Sequence, residues 1–201
     1  KKYKTKNTRL KYQDLMKKIA GVDEVGRGSL VGPVYAAAVI LNKSINKKIL
    51  KDSKTLTKIK REDLSKYIKK NSVWAIGKAS VKEIDKINIL QASLLAMKRA
   101  IKRLRKKPTI SLIDGNQLPK IKNYKMRAVI KGDQKIPSVS AASIIAKVAR
   151  DKMITSLAKK FKGYYWDENY GYGTKKHLKA IKNLGITSHH RKTFSPIKKI
   201  K

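Results

Sequence analysis

Two adjacent carboxylates, Asp23 and Glu24, stand at the end of a short apolar run and are followed at once by the turn Gly26-Arg27-Gly28. Glycines in such a turn let the backbone approach a ligand closely, and successive backbone N–H groups there can bind anions. Acids beside a basic turn that exposes its backbone therefore indicate metal and phosphate chemistry. The pair alone does not decide the function.

The same pattern occurs twice more along the chain. The apolar run 109–114 ends in Asp114 followed by Gly115, and the run that starts at Met126 leads to Asp133. In open α/β sheets, ligands bind where strands end. Carboxylates that converge there repel one another and raise one another's pKa unless a cation lies among them. Oxygen ligands without cysteine favour magnesium or manganese over zinc, and two such ions can hold the attacking and leaving oxygens of a phosphodiester.

A structural interpretation competes with this one, because Asp beside Gly also caps the turn after a strand. Sequence cannot show that the three strand ends are neighbours. In addition, consecutive strand residues point to opposite faces, so Asp23 and Glu24 cannot both aim at one ion from a regular strand. Either the strand has ended by Glu24, or Glu24 contributes through its backbone carbonyl or an outer-shell water.

The elements that must position these acids can be predicted from apolar periodicity and capping residues. The chain begins with a hairpin whose second strand is buried, and strands then alternate with helices, which predicts an α/β layer fold. The small residues that open the helix at Ser138 predict that it lies very close to the sheet. The predicted elements after the first strand are a strand over 33–41, a helix capped by Thr57 and ending at Asn71, a strand over 72–80, a helix over 81–107, strands at 109–114 and 126–133, a helix from 138 and a helix over 175–184.

Composition limits the class of partner. The 201 residues include 51 Lys and Arg but only 13 Asp and Glu, a net charge of +38. Such a charge favours a polyanionic partner such as nucleic acid, although a background bias toward lysine would give the same count. Disulfides and thiolate metal sites are excluded because the sequence has no cysteine. No apolar run has the length of a membrane span and the first residues lack a signal-peptide core, so we expect a cytoplasmic protein that uses no membrane.

Most of the chain resembles bacterial ribonuclease HII. The matching motifs occur in the family's order from Ala20 to Lys198, and only a basic leader over 1–19 falls outside. They are Asp-Glu-Val-Gly-Arg-Gly at 23–28, Asp52-Ser-Lys54, Leu112-Ile-Asp-Gly115, Lys131-Gly-Asp133, Ser140-Ala-Ala-Ser-Ile-Ile-Ala-Lys147, Gly171-Tyr-Gly-Thr174 with His177, and His189-His-Arg191 with Phe194.

The resemblance implies a ribonuclease H-like α/β fold, a five-stranded mixed sheet flanked by helices. It implies one catalytic domain over 20–201 that includes a helical C-terminal segment at about 164–201 and acts as a monomer. It also implies magnesium- or manganese-dependent cleavage of RNA in RNA–DNA hybrids and of single ribonucleotides embedded in duplex DNA. The cut falls on the 5′ side of the ribonucleotide and leaves a 3′-hydroxyl and a 5′-phosphate.

Roles are carried over by position. Asp23, Glu24, Asp114 and Asp133 resemble the family's four catalytic metal-site acids. The backbone of Gly26-Arg27-Gly28 resembles its reader of the 2′-hydroxyl, Tyr172 the aromatic residue that contacts the sugar at the RNA-to-DNA junction, and Lys54 a lysine that contacts phosphate.

Two alternatives remain open at this point. Ribonuclease HIII looks alike around the first acids, but it typically has lysine where Arg27 stands and carries an extra N-terminal domain. A non-enzymatic basic protein that binds nucleic acid would explain the charge but not the repeated strand-end acids. The histidines His177, His189 and His190 are expected to serve the structure of the tail or to contact phosphate. The aromatic run 164–166 is expected to pack in the core or in a lid.

Overall fold

The computed structural model describes residues 18–50 and 56–200, so nearly all of the basic leader and the segment containing Lys54 lie outside the described residues. Five strands and six α-helices account for most of this part of the chain. In order they are β1 (Ile19–Val25), β2 (Val34–Leu41), α1 (Lys58–Lys70), β3 (Ser72–Ala79), α2 (Val81–Lys102), β4 (Ile110–Asp114), β5 (Met126–Val129), α3 (Gly132–Lys135), α4 (Pro137–Lys160), α5 (Trp166–Asn169) and α6 (Lys175–Leu184), with short 3-10 turns at Lys47–Leu50 and Ile197–Lys199.

The strands form one mixed sheet in the order β3-β2-β1-β4-β5. The first three strands are antiparallel neighbours, whereas β4 lies parallel to β1 and β5 lies parallel to β4. The predicted five-stranded mixed sheet is thus confirmed. This order also answers what the sequence left open, because β1, β4 and β5 are adjacent and their carboxyl ends meet at one edge of the sheet.

Each face of the sheet packs against one long helix. Alternate residues of β1 and β2, including Val22, Ala36 and Ala38, bury themselves under α2, while Ala37 and Val39 face α4. The predicted close approach of α4 is confirmed at Gly21, where an added Cβ atom would lie 2.1 Å from the carbonyl carbon of Ser138. Because no side chain separates β1 from the start of α4, the acids at the end of β1 lie beside that helix.

Helix α1 begins and ends as predicted, with the Thr57 hydroxyl accepting a hydrogen bond from the Lys60 N–H and Asn71 at the carboxyl end. Helix α2 differs from the prediction in two ways. It ends at Lys102 rather than at 107, and it is broken at Asn88, whose φ of 63° is left-handed and whose side chain caps the following turn by accepting from the Gln91 N–H. Asn favours such caps over the helix interior, which the apolar spacing alone did not reveal.

A third apolar cluster joins the C-terminal segment to the connection between β1 and β2. Leu30 and Val31 of that connection pack with Tyr164, Trp166 and Ile181, and an isolated β-bridge pairs Val31 with His190. The C-terminal segment therefore packs against the β1–β2 connection and fixes its position. None of the helices within the described ranges is long and apolar enough to cross a bilayer.

Candidate active site

Asp23 and Asp114 lie next to each other at the shared edge. The parallel register of β1 and β4 pairs Val22 with Ile113, so the two aspartates are the next residues on each strand. Their charges interact, since Asp114 contributes to raising the pKa of Asp23. Two segments about ninety residues apart thus deliver carboxylates to one place, which the sequence pattern alone could not show.

Asp23 is buried, with 6% of its surface exposed. Burial is the main reason that its pKa is raised well above the ordinary value, and the neighbouring charge of Glu24 is the second. Its carboxylate accepts hydrogen bonds from the Ser143 hydroxyl on α4 and, at 2.7 Å, from the Glu24 backbone N–H. These two bonds favour the ionised form without supplying a positive charge.

Glu24 faces the other side of the sheet. Strand β1 continues through Val25, so the explanation that the strand has ended by Glu24 is wrong. The register pairs Asp23 with Ala37 and Glu24 with Ala36, which belong to opposite faces. Glu24 instead lines a cavity of about 110 Å³ together with Arg27, Met97, Asp114 and other residues of α2 and the loop after β4.

The Arg27 guanidinium forms an ion pair with the Glu24 carboxylate, with 3.2 Å between Oε1 and Nη1. Burial raises the pKa of Glu24, and the charge of Arg27 partly offsets this effect. The Arg27 side chain is half exposed, so it remains accessible to a phosphate while it contacts the acid. A contribution of Glu24 to a metal site through its backbone carbonyl or through an outer-shell water stays a prediction.

Asp133 does not end a strand, in contrast to the sequence pattern. Strand β5 stops at Val129, and Asp133 lies four residues later in the first turn of the short helix α3. Lys131 in the left-handed conformation turns the chain back, and the Gly132 N–H then donates to Asp114 Oδ1 at 2.7 Å. Asp133 directly follows Gly132, which contacts Asp114, so Asp133 lies near the same edge of the sheet.

Tyr172 and the glycine-rich turn lie side by side. A Cβ atom added to Gly28 would be 4.0 Å from Cε1 of Tyr172. Gly28 is exposed and Tyr172 is half buried. The two groups that the resemblance assigns to the ribose are thus neighbours in space, although 144 positions separate them in the chain.

The C-terminal aromatic and histidine residues have structural surroundings. Trp166 and His177 are buried, and the Trp166 Nε1–H donates to His177 Nε2 at 3.0 Å. The other ring nitrogen of His177 lies 2.9 Å from the Tyr172 carbonyl oxygen. His177 therefore fixes the backbone of Tyr172 instead of binding a metal, and the expectation that the histidines serve the tail is confirmed for it.

Sequence reasoning assigned no role to three residues that shape the site, namely Ser143, Arg150 and Arg191. Both arginines are fully buried, and they donate to backbone carbonyls around the 26–33 connection rather than to acids. In a sequence with 51 Lys and Arg, residue type does not distinguish Arg150 from a surface residue, and the motif that contains Arg191 does not show that Arg191 is buried. The available signal for Ser143 was the run of small residues at the start of α4.

The donor chemistry of this edge suits a hard divalent cation. All four acids offer oxygen only, and Asp23 and Glu24 are held in partial burial with raised pKa values and a single arginine nearby. A cation among them would favour their ionised forms. Within residues 18–50 and 56–200, however, no three carboxylate or imidazole groups already converge as a complete metal-binding group. A metal site shared by Asp23, Glu24, Asp114 and Asp133 therefore stays a prediction.

The site has the composition expected of one known family. The family model described as Ribonuclease HII matches residues 20–197. Ribonuclease HII from Pelagibacter ubique (strain HTCC1062) is 76% identical over 182 residues, which cover 90% of this chain and 98% of that protein. Ribonuclease HII from Paracoccus denitrificans (strain Pd 1222) is 50% identical over 182 residues, covering 90% and 87%.

Solved structures resemble the fold over the same range. Ribonuclease H2 from Pyrococcus horikoshii OT3 superposes with a TM-score of 0.75 at 30% identity, covering 90% of this chain and 96% of that one. Bst-RNase HIII in complex with Mn2+ superposes with a TM-score of 0.72 at 19% identity, covering 90% and 68%. At that identity the second likeness shows only the fold.

Proposed function

This chain belongs to the ribonuclease HII family, and from that premise we propose that it is an endoribonuclease that hydrolyses RNA paired with DNA, including a single ribonucleotide embedded in duplex DNA. The observation that carries the proposal is the meeting of β1, β4 and β5 at one sheet edge. That edge holds Asp23 and Asp114 side by side, close to the Gly26-Arg27-Gly28 turn and Tyr172. Acids for the phosphate chemistry and groups for the sugar thus share one surface.

We infer that Asp23, Glu24, Asp114 and Asp133 would hold divalent cations, magnesium or manganese. When bound, such ions supply an activated water for attack on phosphorus and stabilise the departing 3′ oxygen. Asp23, Asp114 and Asp133 would fix the positions of the cations with their carboxylates, and Glu24 would contribute through its backbone carbonyl or an outer-shell water. Asp23 is oriented by Ser143 and by the Glu24 N–H, and Asp114 by the Gly132 N–H.

The neighbouring residues would bind and orient the substrate. The half-exposed Arg27 can bind a phosphate with its planar fork. Backbone groups of the exposed turn can sense a ribose hydroxyl, which is both donor and acceptor. Tyr172 offers a flat face to the sugar and a polar tip to its hydroxyl. A phosphate contact by Lys54 also belongs to this proposal, although Lys54 lies outside the described residues.

The net charge of +38 supports an association with duplexes that does not depend on sequence. Such attraction brings the enzyme to nucleic acid but does not select a ribonucleotide. Selection must come from the turn and Tyr172. A monomeric state and a cytoplasmic location remain predictions.

A duplex DNA that contains one ribonucleotide tests the proposal. With magnesium or manganese we expect one cut on the 5′ side of the ribonucleotide, leaving a 3′-hydroxyl and a 5′-phosphate, and no cut in the all-deoxy control duplex. Both ends can be identified by the mobility of labelled products and by their response to phosphatase. Tight binding without cutting would instead favour a non-enzymatic nucleic-acid-binding protein.

A further inference from the structure

The two buried arginines, Arg150 and Arg191, form a layer beneath the 26–33 connection. Each has 0% of its surface exposed. They lie close enough that the positive charge of Arg150 contributes to lowering the pKa of Arg191, although burial is the larger cause. Neither forms an ion pair in the part of the chain that the structure describes. Asp151 and Asp85 offset only part of the cost of burying these charges, so the presence of the two arginines calls for an explanation.

The guanidinium groups donate to carbonyl oxygens of the connection from below. Arg150 donates to the carbonyls of Pro33 and Val31, at 3.3 and 2.8 Å. Arg191 donates to the carbonyls of Gly32 and Arg27, at 2.9 and 2.8 Å. Four carbonyls of one connection are therefore pulled toward the protein interior.

The bond to the Arg27 carbonyl has a direct geometric consequence. The peptide between Arg27 and Gly28 is trans, and in a trans peptide the C=O and N–H groups point in opposite directions within one plane. Since the Arg27 carbonyl points inward to Arg191 Nη1, the Gly28 N–H points away from Arg191. Gly28 itself is exposed and adjacent to the Tyr172 ring. The N–H therefore points toward the surface where the sugar is proposed to bind.

Arg150 constrains the same surface from the other end of the turn. Gly26 has a φ of 90°, and a Cβ atom there would lie 2.1 Å from Arg150 Nε, so only glycine allows this approach. The Arg150 guanidinium also lies 5.7 Å from the centre of the Tyr172 ring and donates to the Tyr170 carbonyl at 3.1 Å. One buried side chain thus contacts both the turn and the loop that carries Tyr172.

Among residues 18–50 and 56–200, no group forms a hydrogen bond with Nη2 of Arg191, although this atom is buried. An unpaired buried donor lowers stability, and a residue selected only for packing would avoid it. The two paired donors are the ones that orient the connection. This observation favours a role for Arg191 in positioning the backbone over a role in stabilising the fold.

We propose that Arg191, supported by Arg150, is a positioning residue that directs the Gly28 N–H toward the ribose and thereby sets the discrimination between a ribonucleotide and a deoxyribonucleotide. The inference rests on the proposed function, because it concerns the same sugar-binding surface. Arg191 touches neither the acids nor the exposed surface. It acts through the Arg27–Gly28 peptide.

The test compares binding of two duplexes that differ by one 2′-hydroxyl. Affinity is measured without divalent metal, so that nothing is cut, and at raised salt, because non-specific attraction would otherwise hide the difference. In Arg191→Lys the planar fork is lost while the charge is kept. We expect the preference for the ribonucleotide duplex to fall about 5- to 10-fold, the effect of one neutral hydrogen bond, with affinity for the all-deoxy duplex within about 2-fold of wild type.

Arg103→Lys is the matched control. Arg103 also donates from Nη1 to a backbone carbonyl, that of Ile76 at 3.0 Å, but it is exposed and belongs to the end of α2. Its substitution should leave the preference unchanged. An equal loss of affinity for both duplexes in Arg191→Lys, or an unchanged preference in a folded variant, would overturn the inference. If wild type itself shows no preference and no cleavage, the proposed function has failed instead.

A second measurement does not depend on the variant folding. In wild-type protein labelled with ¹⁵N, the Gly28 amide resonance should shift more on adding the ribonucleotide duplex than on adding the all-deoxy duplex. Equal shifts with both duplexes would show that this N–H does not sense the hydroxyl, and the inference would then be wrong.

Discussion

The strand-end acids and the C-terminal histidines are both buried ionisable groups, but their surroundings differ in kind. Asp23 has a raised pKa, and the described residues that donate hydrogen bonds to its carboxylate, Ser143 and the Glu24 N–H, are neutral. His177 has a lowered pKa, and both ring nitrogens are matched by groups that suit the neutral ring, the Trp166 N–H and the Tyr172 carbonyl. Both ring nitrogens of His177 are thus satisfied within the protein, whereas no described residue places a cation against the Asp23 carboxylate, which would gain from one. Burial of a charge-bearing group therefore indicates a ligand site only where its partners leave the charge uncompensated.

The largest expected effect concerns the acids. Asp114→Asn should lower cleavage of the ribonucleotide duplex by about 1000-fold or more, because a lost metal ligand removes several kcal/mol of transition-state stabilisation. The amide oxygen can still accept from the Gly132 N–H, so folding should persist. Binding should also persist, because the positive field remains.

Asp63→Asn is the control for the loss of one negative charge, since Asp63 is an exposed residue of α1 paired with Lys66. It should leave the cleavage rate within about 2-fold of wild type, as expected for a surface pair. Single-turnover rates and binding isotherms provide both readouts. Near-normal cleavage by Asp114→Asn would show that Asp114 takes no part in the reaction. It would also weaken the contrast between the acids and the C-terminal histidines.

A smaller effect concerns the histidines. Burial, the largest cause, and the charge of His177 lower the pKa of His190 to about 4 from the ordinary value of 6.5. The unfolded chain then binds a proton more readily than the folded one. The stabilisation that neutral His190 contributes is therefore fully present above about pH 6.5. It decreases by up to about 3 kcal/mol as the pH falls toward 4.

Urea unfolding of wild type and His190→Asn between pH 7 and 4.5 measures this effect. The asparagine Oδ1 can replace Nδ1 as acceptor for the Thr187 N–H. The raised pKa of Asp23 makes the free energy of unfolding change with pH in the opposite direction. The readout is therefore the difference between the two proteins in the slope of the free energy of unfolding against pH. An unchanged slope in His190→Asn would contradict the account of the C-terminal cluster.

The smallest expected effect concerns Tyr172. This residue links the two regions, because His177 contacts its backbone and its ring lies beside the Gly26-Arg27-Gly28 turn. Tyr172→Ala should reduce preference for cleavage at the RNA-to-DNA junction by about 10-fold, the loss of one stacked aromatic contact. Overall affinity for duplex should change less. Tyr165→Ala is a suitable control, since Tyr165 is exposed and contacts Lys176. A uniform loss of affinity across substrates would make Tyr172 a packing residue.

The strands and acids were predictable because their signals are local. Apolar runs that end in Asp or Asp-Gly mark β1 and β4, and capping residues fixed the ends of α1. The adjacency of β1 and β4 depends on long-range pairing, which no short pattern contains. The offset of Asp133 depends on the left-handed Lys131, a conformation that lysine rarely adopts.

Arg150 and Arg191 show a different limit. Their importance lies in burial and in the carbonyls that they contact, and neither property is encoded in residue type when about a quarter of the chain is basic. The motifs that resembled ribonuclease HII included Arg191 but said nothing about where its donors point. Such positioning residues emerge only once the packing of the C-terminal segment against the 26–33 connection is known.

The central claim is that the acids after β1, β4 and β5 form one site for divalent cations, and crystals soaked in Mn²⁺ test it most directly. We predict anomalous difference peaks within coordination distance of Asp23, Asp114 and Asp133, and their loss in Asp114→Asn. Mn²⁺ peaks elsewhere on the protein at full occupancy, with no peak at this sheet edge, would contradict the account.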